Sequence, residues 1–182
     1  PLYYRSTGSG NWNTLSTWEV STDPTFVSPA PSAALFIPNQ NNAAGILVQA
    51  GHTVTVTVAQ AADDLTVDGQ LTVNSAIALT ISNGTAAIDM LVSTSGVLNM
   101  NGIFTITSPA VVHINGTMNV TSTTGAYTSS ITTLFFNAGS FYNHNRAAGV
   151  VPTAAWNATS TCTITGATTA APTGISGQSF GN

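Results

Sequence analysis

Gly69-Gln70-Leu71-Thr72-Val73 is followed by Gly96-Val97-Leu98-Asn99-Met100, Gly102-Ile103-Phe104-Thr105-Ile106 and Gly116-Thr117-Met118-Asn119-Val120. Each is a glycine, one variable residue, then apolar, polar, apolar. Gly51-His52-Thr53-Val54-Thr55-Val56 is a looser copy. Alternation of this kind buries one face of a short strand and exposes the other. A turn glycine precedes each strand and no helical segment separates the copies. The pattern predicts an all-β chain wound as a right-handed parallel β-helix, a β-solenoid. The copies are unevenly spaced, which fits a β-helix with variable loops better than a solenoid of constant repeat. A β-sandwich would need more two-residue hairpin turns than Asn83-Gly84 and Asn115-Gly116 supply.

The same alternation assigns an interior. Val54, Val56, Leu65, Val67, Leu71, Val73, Leu98, Met100, Phe104, Ile106, Met118 and Val120 face in, while Thr55, Thr66, Thr72, Asn99, Thr105 and Asn119 face out. Val58 extends the first of these runs. Leu79 and Ile81 share one face, Ile88, Met90 and Val92 another, and Val112 and Ile114 a third.

Outward from the repeats, at 45–142, the chain changes character on both sides. Residues 1–44 hold Trp12 and Trp18 and then Pro24, Pro29, Pro31 and Pro38, a proline density that excludes a central strand or a helix interior. This segment reads as an N-terminal cap whose apolar plug is Trp12, Trp18, Phe26 and Phe36, ahead of an aromatic sugar platform. Residues 143–182 read as further rungs. Gly174 to Asn182 carries only Ile175 and Phe180 as large apolar groups, so the last rung is expected to be bare. It would then take further rungs of a longer parent chain, or a like subunit stacked end to end.

Only 4% of the 182 residues are charged, against about 25% in an ordinary soluble domain. Lysine is absent, and Arg5 and Arg146 are the only fixed cations. Two arginines cannot form the basic stripe a nucleic acid needs, nor hold an anionic lipid surface. No apolar run is long enough to span a bilayer. The opening Pro1-Leu2-Tyr3-Tyr4 has neither part of a signal peptide, so a secreted form would have lost its signal already. The lone Cys162 excludes an intramolecular disulfide and reads as a small core residue.

Candidate sites are few. Asp63, Asp64 and Asp68 form the one carboxylate cluster, with Asp64, Thr66 and Asp68 on one outer face. Calcium takes about six to eight oxygens and a loop spacing not seen here, and a glycosidase needs two carboxylates at fixed separation. The cluster reads as a solvated turn. His52, His113 and His144 would form a zinc site only if the rungs brought them into register. Thr53, Thr55 and Thr57 make a Thr-x-Thr ladder echoed at Thr105/Thr107, Thr121/Thr123 and Thr163/Thr165. Such a ladder can order water and bind ice, but threonine is also a good neutral strand former. Glycosylation sequons stand at Asn83, Asn115, Asn119 and Asn157. No catalytic, cofactor or metal residue is assigned.

Ser9-Gly10-Asn11-Trp12-Asn13 with Thr17-Trp18, and then Gly51-His52-Thr53-Val54-Thr55-Val56, resemble the start of large secreted surface proteins of Bacteroidetes. Phe141-Tyr142-Asn143-His144-Asn145-Arg146, Val151-Pro152-Thr153-Ala154-Ala155-Trp156-Asn157 and Ser160-Thr161-Cys162-Thr163-Ile164-Thr165-Gly166 resemble a recurring block of the same proteins. The resemblance implies a β-helical region exported by the type IX secretion system, commonly with a sorting domain far downstream. The expected function is a non-enzymatic, extracellular, structural or adhesive module at the cell surface. Surface glycans and end-to-end neighbours are its expected partners. The alternative is a carbohydrate-binding or polysaccharide-cleaving β-helix using Asp64 and Asp68 or exposed Tyr and Trp side chains.

Overall fold

Strands follow one another around three faces. A computed structural model describes residues 2–122 and 125–181. Each turn lays a strand on a nine-stranded face, then on a seven-stranded face, then on a four-stranded face, and the stack runs for about five turns. The second turn, for example, is Leu65–Val67, Gln70–Val73 and Ala78–Ile81. The next is Met90–Val92, Val97–Met100 and Ile103–Ile106. Successive turns pair in parallel, with Leu71 over Val54, Leu98 over Leu71, Met118 over Leu98 and Tyr142 over Met118. The chain is therefore an all-β solenoid.

Its interior is the expected one. Every one of the twelve aliphatic, methionine and phenylalanine side chains assigned inward from the alternation is buried, and their polar neighbours Thr55, Thr66, Thr72, Asn99, Thr105 and Asn119 are only partly so. The repeated glycines have a reason beyond turning. At Gly96 a Cβ would meet the Val67 carbonyl oxygen at 2.1 Å, and at Gly116 the Gly96 carbonyl oxygen at 2.2 Å. The corner backbones of adjacent turns touch there, and only glycine lets them.

Two members of the apolar runs depart from this pattern. Val58 is 53% exposed, because strand Thr53–Val56 ends before it and the chain is turning towards Gln60–Ala62. Ile88 precedes strand Met90–Val92 and is half-buried, while the adjacent Asp89 is buried.

The N-terminal segment caps the stack and also joins it. Tyr3–Ser6 pairs in parallel with Gly45–Val48, and antiparallel with Trp18–Ser21, which pairs antiparallel with Ser32–Ala33. Gly10–Asn11 lies in parallel on Thr53–Val56. Trp12 and Trp18 are buried with ring centroids 5.0 Å apart. Trp12 Nε1 donates to the Pro38 carbonyl at 3.0 Å, and Trp18 Nε1 to the Trp12 carbonyl at 2.7 Å. The four-aromatic plug is thus corrected. Phe36 is 64% exposed and lies outside it, whereas Phe26 is buried as expected, under the Arg5 guanidinium with 4.4 Å from ring centroid to Cζ. Phe36 sits among prolines and extended residues with no alternation to carry it inward.

At the other end, strand Phe141–His144 spans the 142/143 boundary drawn from the sequence, and Ala155–Trp156 and Thr161–Ile164 add a further partial turn. The expectation of a bare last rung is also corrected. Phe180 packs on Trp156 at 4.9 Å between centroids. Gln178 Oε1 accepts from the Ala154 amide at 3.0 Å and from Trp156 Nε1 at 2.8 Å. Phe180 and the Gln178 amide share this covering, and the amide is the part that a search for apolar or charged caps does not find.

Candidate functional site

The seven-stranded face presents two parallel columns of amides and hydroxyls. The first runs Asn11, Thr55, Thr72, Asn99, Asn119, Asn143, Thr163, one residue from each strand in paired register. The second, two residues further along each rung, holds Thr57, Asn74, Asn101, Thr121, Asn145 and Thr165, whose backbone amides bond to the preceding rung from Asn74 on, that of Thr121 through the Asn101 side chain. In the first column Asn143 Nδ2 donates to Asn119 Oδ1 at 2.8 Å, and Asn119 Nδ2 to Asn99 Oδ1 at 3.0 Å. Asn99 Nδ2 continues to Thr72 Oγ1 at 3.2 Å. In the second, Asn101 Oδ1 accepts from the Thr121 hydroxyl at 2.8 Å and from its amide at 3.0 Å.

A hollow of about 410 Å³ lies over these columns. It is lined by Asn99, Asn119, Asn143 and Thr163 of the first and Thr121, Asn145 and Thr165 of the second. No ionisable side chain lines it. Phe141, 47% exposed, lies on the same outer surface two residues before Asn143.

The threonine ladder of the sequence is therefore divided. Thr55, Thr57, Thr121, Thr163 and Thr165 belong to this face, Thr105 lies on the four-stranded face with Thr107 just beyond it, and Thr123 lies outside the described residues. Asn99-x-Asn101 and Asn143-x-Asn145 were missed as members. The signal that finds them is Thr or Asn at both positions flanking the last inward residue of each rung, with the two residue types treated as equivalent.

The carboxylates are distributed differently from a solvated turn. Asp63 is buried and its Oδ1 has no hydrogen-bond partner. Asp64 and Asp68 face outward into a hollow of about 330 Å³ with Tyr3, Phe26, Leu47 and Thr66. Both are engaged by loops of the next turn. Asp64 accepts from the Thr85 hydroxyl at 2.9 Å and the Ala86 amide at 3.1 Å, and Asp68 accepts from the Ser93 hydroxyl.

Burial pushes the Asp63 carboxyl up to about 6, and the neighbouring Asp64 and then Asp89 carboxylates add to it. The folded chain thus holds this proton more tightly than the unfolded chain. Its contribution is fully present below the ordinary carboxylate pKa and is lost as pH rises through about 6. Asp23 acts in the opposite sense. The Thr25 hydroxyl, then the amides of Ser28, Thr25 and Val27, hold it well below the usual range. That contribution is present above the ordinary carboxylate pKa and is lost as pH falls. The melting temperature should therefore peak near pH ~4. Asp63→Asn should remove the decline between about pH 4 and 6 and leave the acid-side fall. A pH profile of thermal melting checks this, and an unchanged decline in the variant would refute the assignment.

The histidines do not converge. His52 Nδ1 meets the Ser6 hydroxyl at 2.8 Å. His113 packs at a tilt against Phe135 on the nine-stranded face, half-buried and with its pKa lowered by burial. His144 points inward, with Nδ1 on the Tyr142 hydroxyl at 3.0 Å and Nε2 on the Ala148 carbonyl at 2.8 Å. Among the described residues no three His, Cys, Asp or Glu side chains could hold a metal ion. Cys162 is half-buried, and burial pushes its thiol up to about 11, so it stays protonated at neutral pH.

Compared with known proteins, the chain matches no family model, no curated protein and no solved structure. What fold and site define together is a β-solenoid with an uncharged amide and hydroxyl face.

Proposed function

We propose that the chain is a non-enzymatic structural and adhesive β-solenoid module of a secreted or cell-surface protein. The observation that carries this reading is the continuous column of Asn and Thr side chains from Asn11 to Thr163, one per rung. A rigid stack that repeats one uncharged contact group at a fixed spacing suits extended surface contact. The use of Asp64 and Asp68 as acceptors for neighbouring loops supports a contact role over cleavage. The similarity of the Phe141–Gly166 block to exported Bacteroidetes surface proteins supports export by the type IX route. Gln178 and Phe180 cover the end of the nine-stranded face, but Ile164, in the last strand of the seven-stranded face, is 38% exposed, which supports end-to-end stacking there.

Protease treatment of intact producing cells tests the placement. The chain should be degraded while a cytoplasmic marker survives. Protection until lysis would overturn the reading.

A further inference from the structure

We infer that the hollow on the seven-stranded face binds a neutral polysaccharide chain laid along the solenoid axis, with Phe141 as its stacking platform. This rests on the adhesive reading and names the ligand class of that face. Four features converge on it.

Among the described residues the lining is seven Asn and Thr side chains with no ionisable group, so it offers no fixed charge to a charged ligand. An uncharged ligand rich in hydroxyls matches it.

Hydrogen-bonding capacity remains. An Asn amide carries two N–H donors and an oxygen that accepts twice. Asn119 uses one donor on Asn99 and one acceptor site on Asn143. A donor and an acceptor site are left for a ligand hydroxyl, and the ladder already fixes their direction. Little side-chain freedom is lost on binding, which is where polar sites otherwise forfeit affinity.

The spacing is periodic. The contributing strands lie one rung apart, about 4.8 Å. An extended β-linked chain of pyranose rings advances by a similar step per ring. Successive rings then meet successive rungs at Asn99, Asn119, Asn143 and Thr163.

Phe141 supplies what amides lack. Its exposed ring is a flat apolar surface two residues along the strand from Asn143, suited to the C–H face of a sugar ring. An ice-binding surface would be a flat threonine array. This one is a hollow with four Asn among its seven lining residues.

Binding of the whole chain to soluble β-1,4-glucan oligosaccharides and to insoluble cellulose and chitin tests this, with polygalacturonate as the charged counterpart. Binding to at least one neutral β-linked chain is expected, little changed by salt. Phe141→Ala and Asn143→Ala should each weaken it about tenfold. Phe141→Trp should retain it. Phe141 is exposed, so Phe141→Ala should melt like the parent chain, and this variant reads binding apart from folding. Preference for polygalacturonate, neutral-chain binding indifferent to both alanine variants, or inhibition of ice recrystallisation without glycan binding would each overturn the inference. Surface exposure on intact cells with no neutral-glycan binding would sink the inference alone. Glycan binding by a chain that proteases cannot reach on intact cells would sink the placement and leave the site standing.

Discussion

Arg146→Leu should destabilise the turns after Val120 by about 3–5 kcal/mol, a shift of roughly 10 °C in melting temperature. Arg146 is 3% exposed, and among the described residues no carboxylate pairs with it. Backbone carbonyls receive it instead. Nη1 donates to Ser122 O at 2.6 Å and Gly125 O at 3.2 Å, and Nη2 to Val150 O at 3.3 Å. Its Cζ lies 5.6 Å from the Tyr127 ring centroid. The four-stranded face ends at Ala126–Thr128, so no later strand of that face ties the following turn down. The guanidinium does so at this corner. A Cβ at Gly149 would meet it at 2.5 Å, so the chain wraps it closely.

Exchanging a buried ion pair for apolar residues is often harmless, but that holds when both partners are replaced. Here the carbonyls remain, part-buried, and each one left without its donor costs up to about 1–3 kcal/mol. Arg146→Lys should fall between, because an ammonium keeps the charge without the planar fork. Hydrogen exchange should show the loss concentrated from Phe141 onward, since solenoid turns depend on their neighbours. A melting temperature within about 1 °C of the parent for Arg146→Leu would refute the role.

Trp12→Ala should cost about 3–5 kcal/mol and open the other end. The ring is fully buried, packs edge-on against Trp18 and holds the Pro38 segment through its Nε1 donor. Removing it leaves a cavity and an unsatisfied carbonyl, and frees residues 29–44 from the first turn. The uncovered strand edge should then recruit a second chain. Sedimentation should show association of Trp12→Ala at concentrations where the parent does not associate. Phe36→Ala, in the same segment but exposed, should change stability by no more than about 0.5 kcal/mol. Equal effects from the two would deny Trp12 its place in the cap.

The interior was legible because period-two alternation is local. Val54 and Val56 reveal their direction through Thr53 and Thr55 alone. The Asn column was not, because Asn99 meets Thr72 across 27 residues and Asn119 across 20, with loops of unequal length between. Uneven spacing hides stacking that the register makes regular. Asp63 was misjudged because it turns inward at a corner, where its neighbours do not fix direction. His144 was left open although it continues the inward alternation of Tyr142, because a histidine at such a position reads as polar rather than as core. Arg146 gave no signal at all, since its acceptors are backbone carbonyls and every residue has one.

The amide column has a head and a tail. From Asn143 to Thr72 each N–H is given to the preceding rung, and the run ends on a hydroxyl, which can donate as well as accept. If Asn119 alone were turned over, two N–H groups would face each other on one side and two oxygens on the other. Reversal of all three amides together restores every bond, with Thr72 now the donor. The column therefore changes direction as a block or not at all. It is a one-bit register written along the surface, through which rungs far apart in sequence share a single orientation.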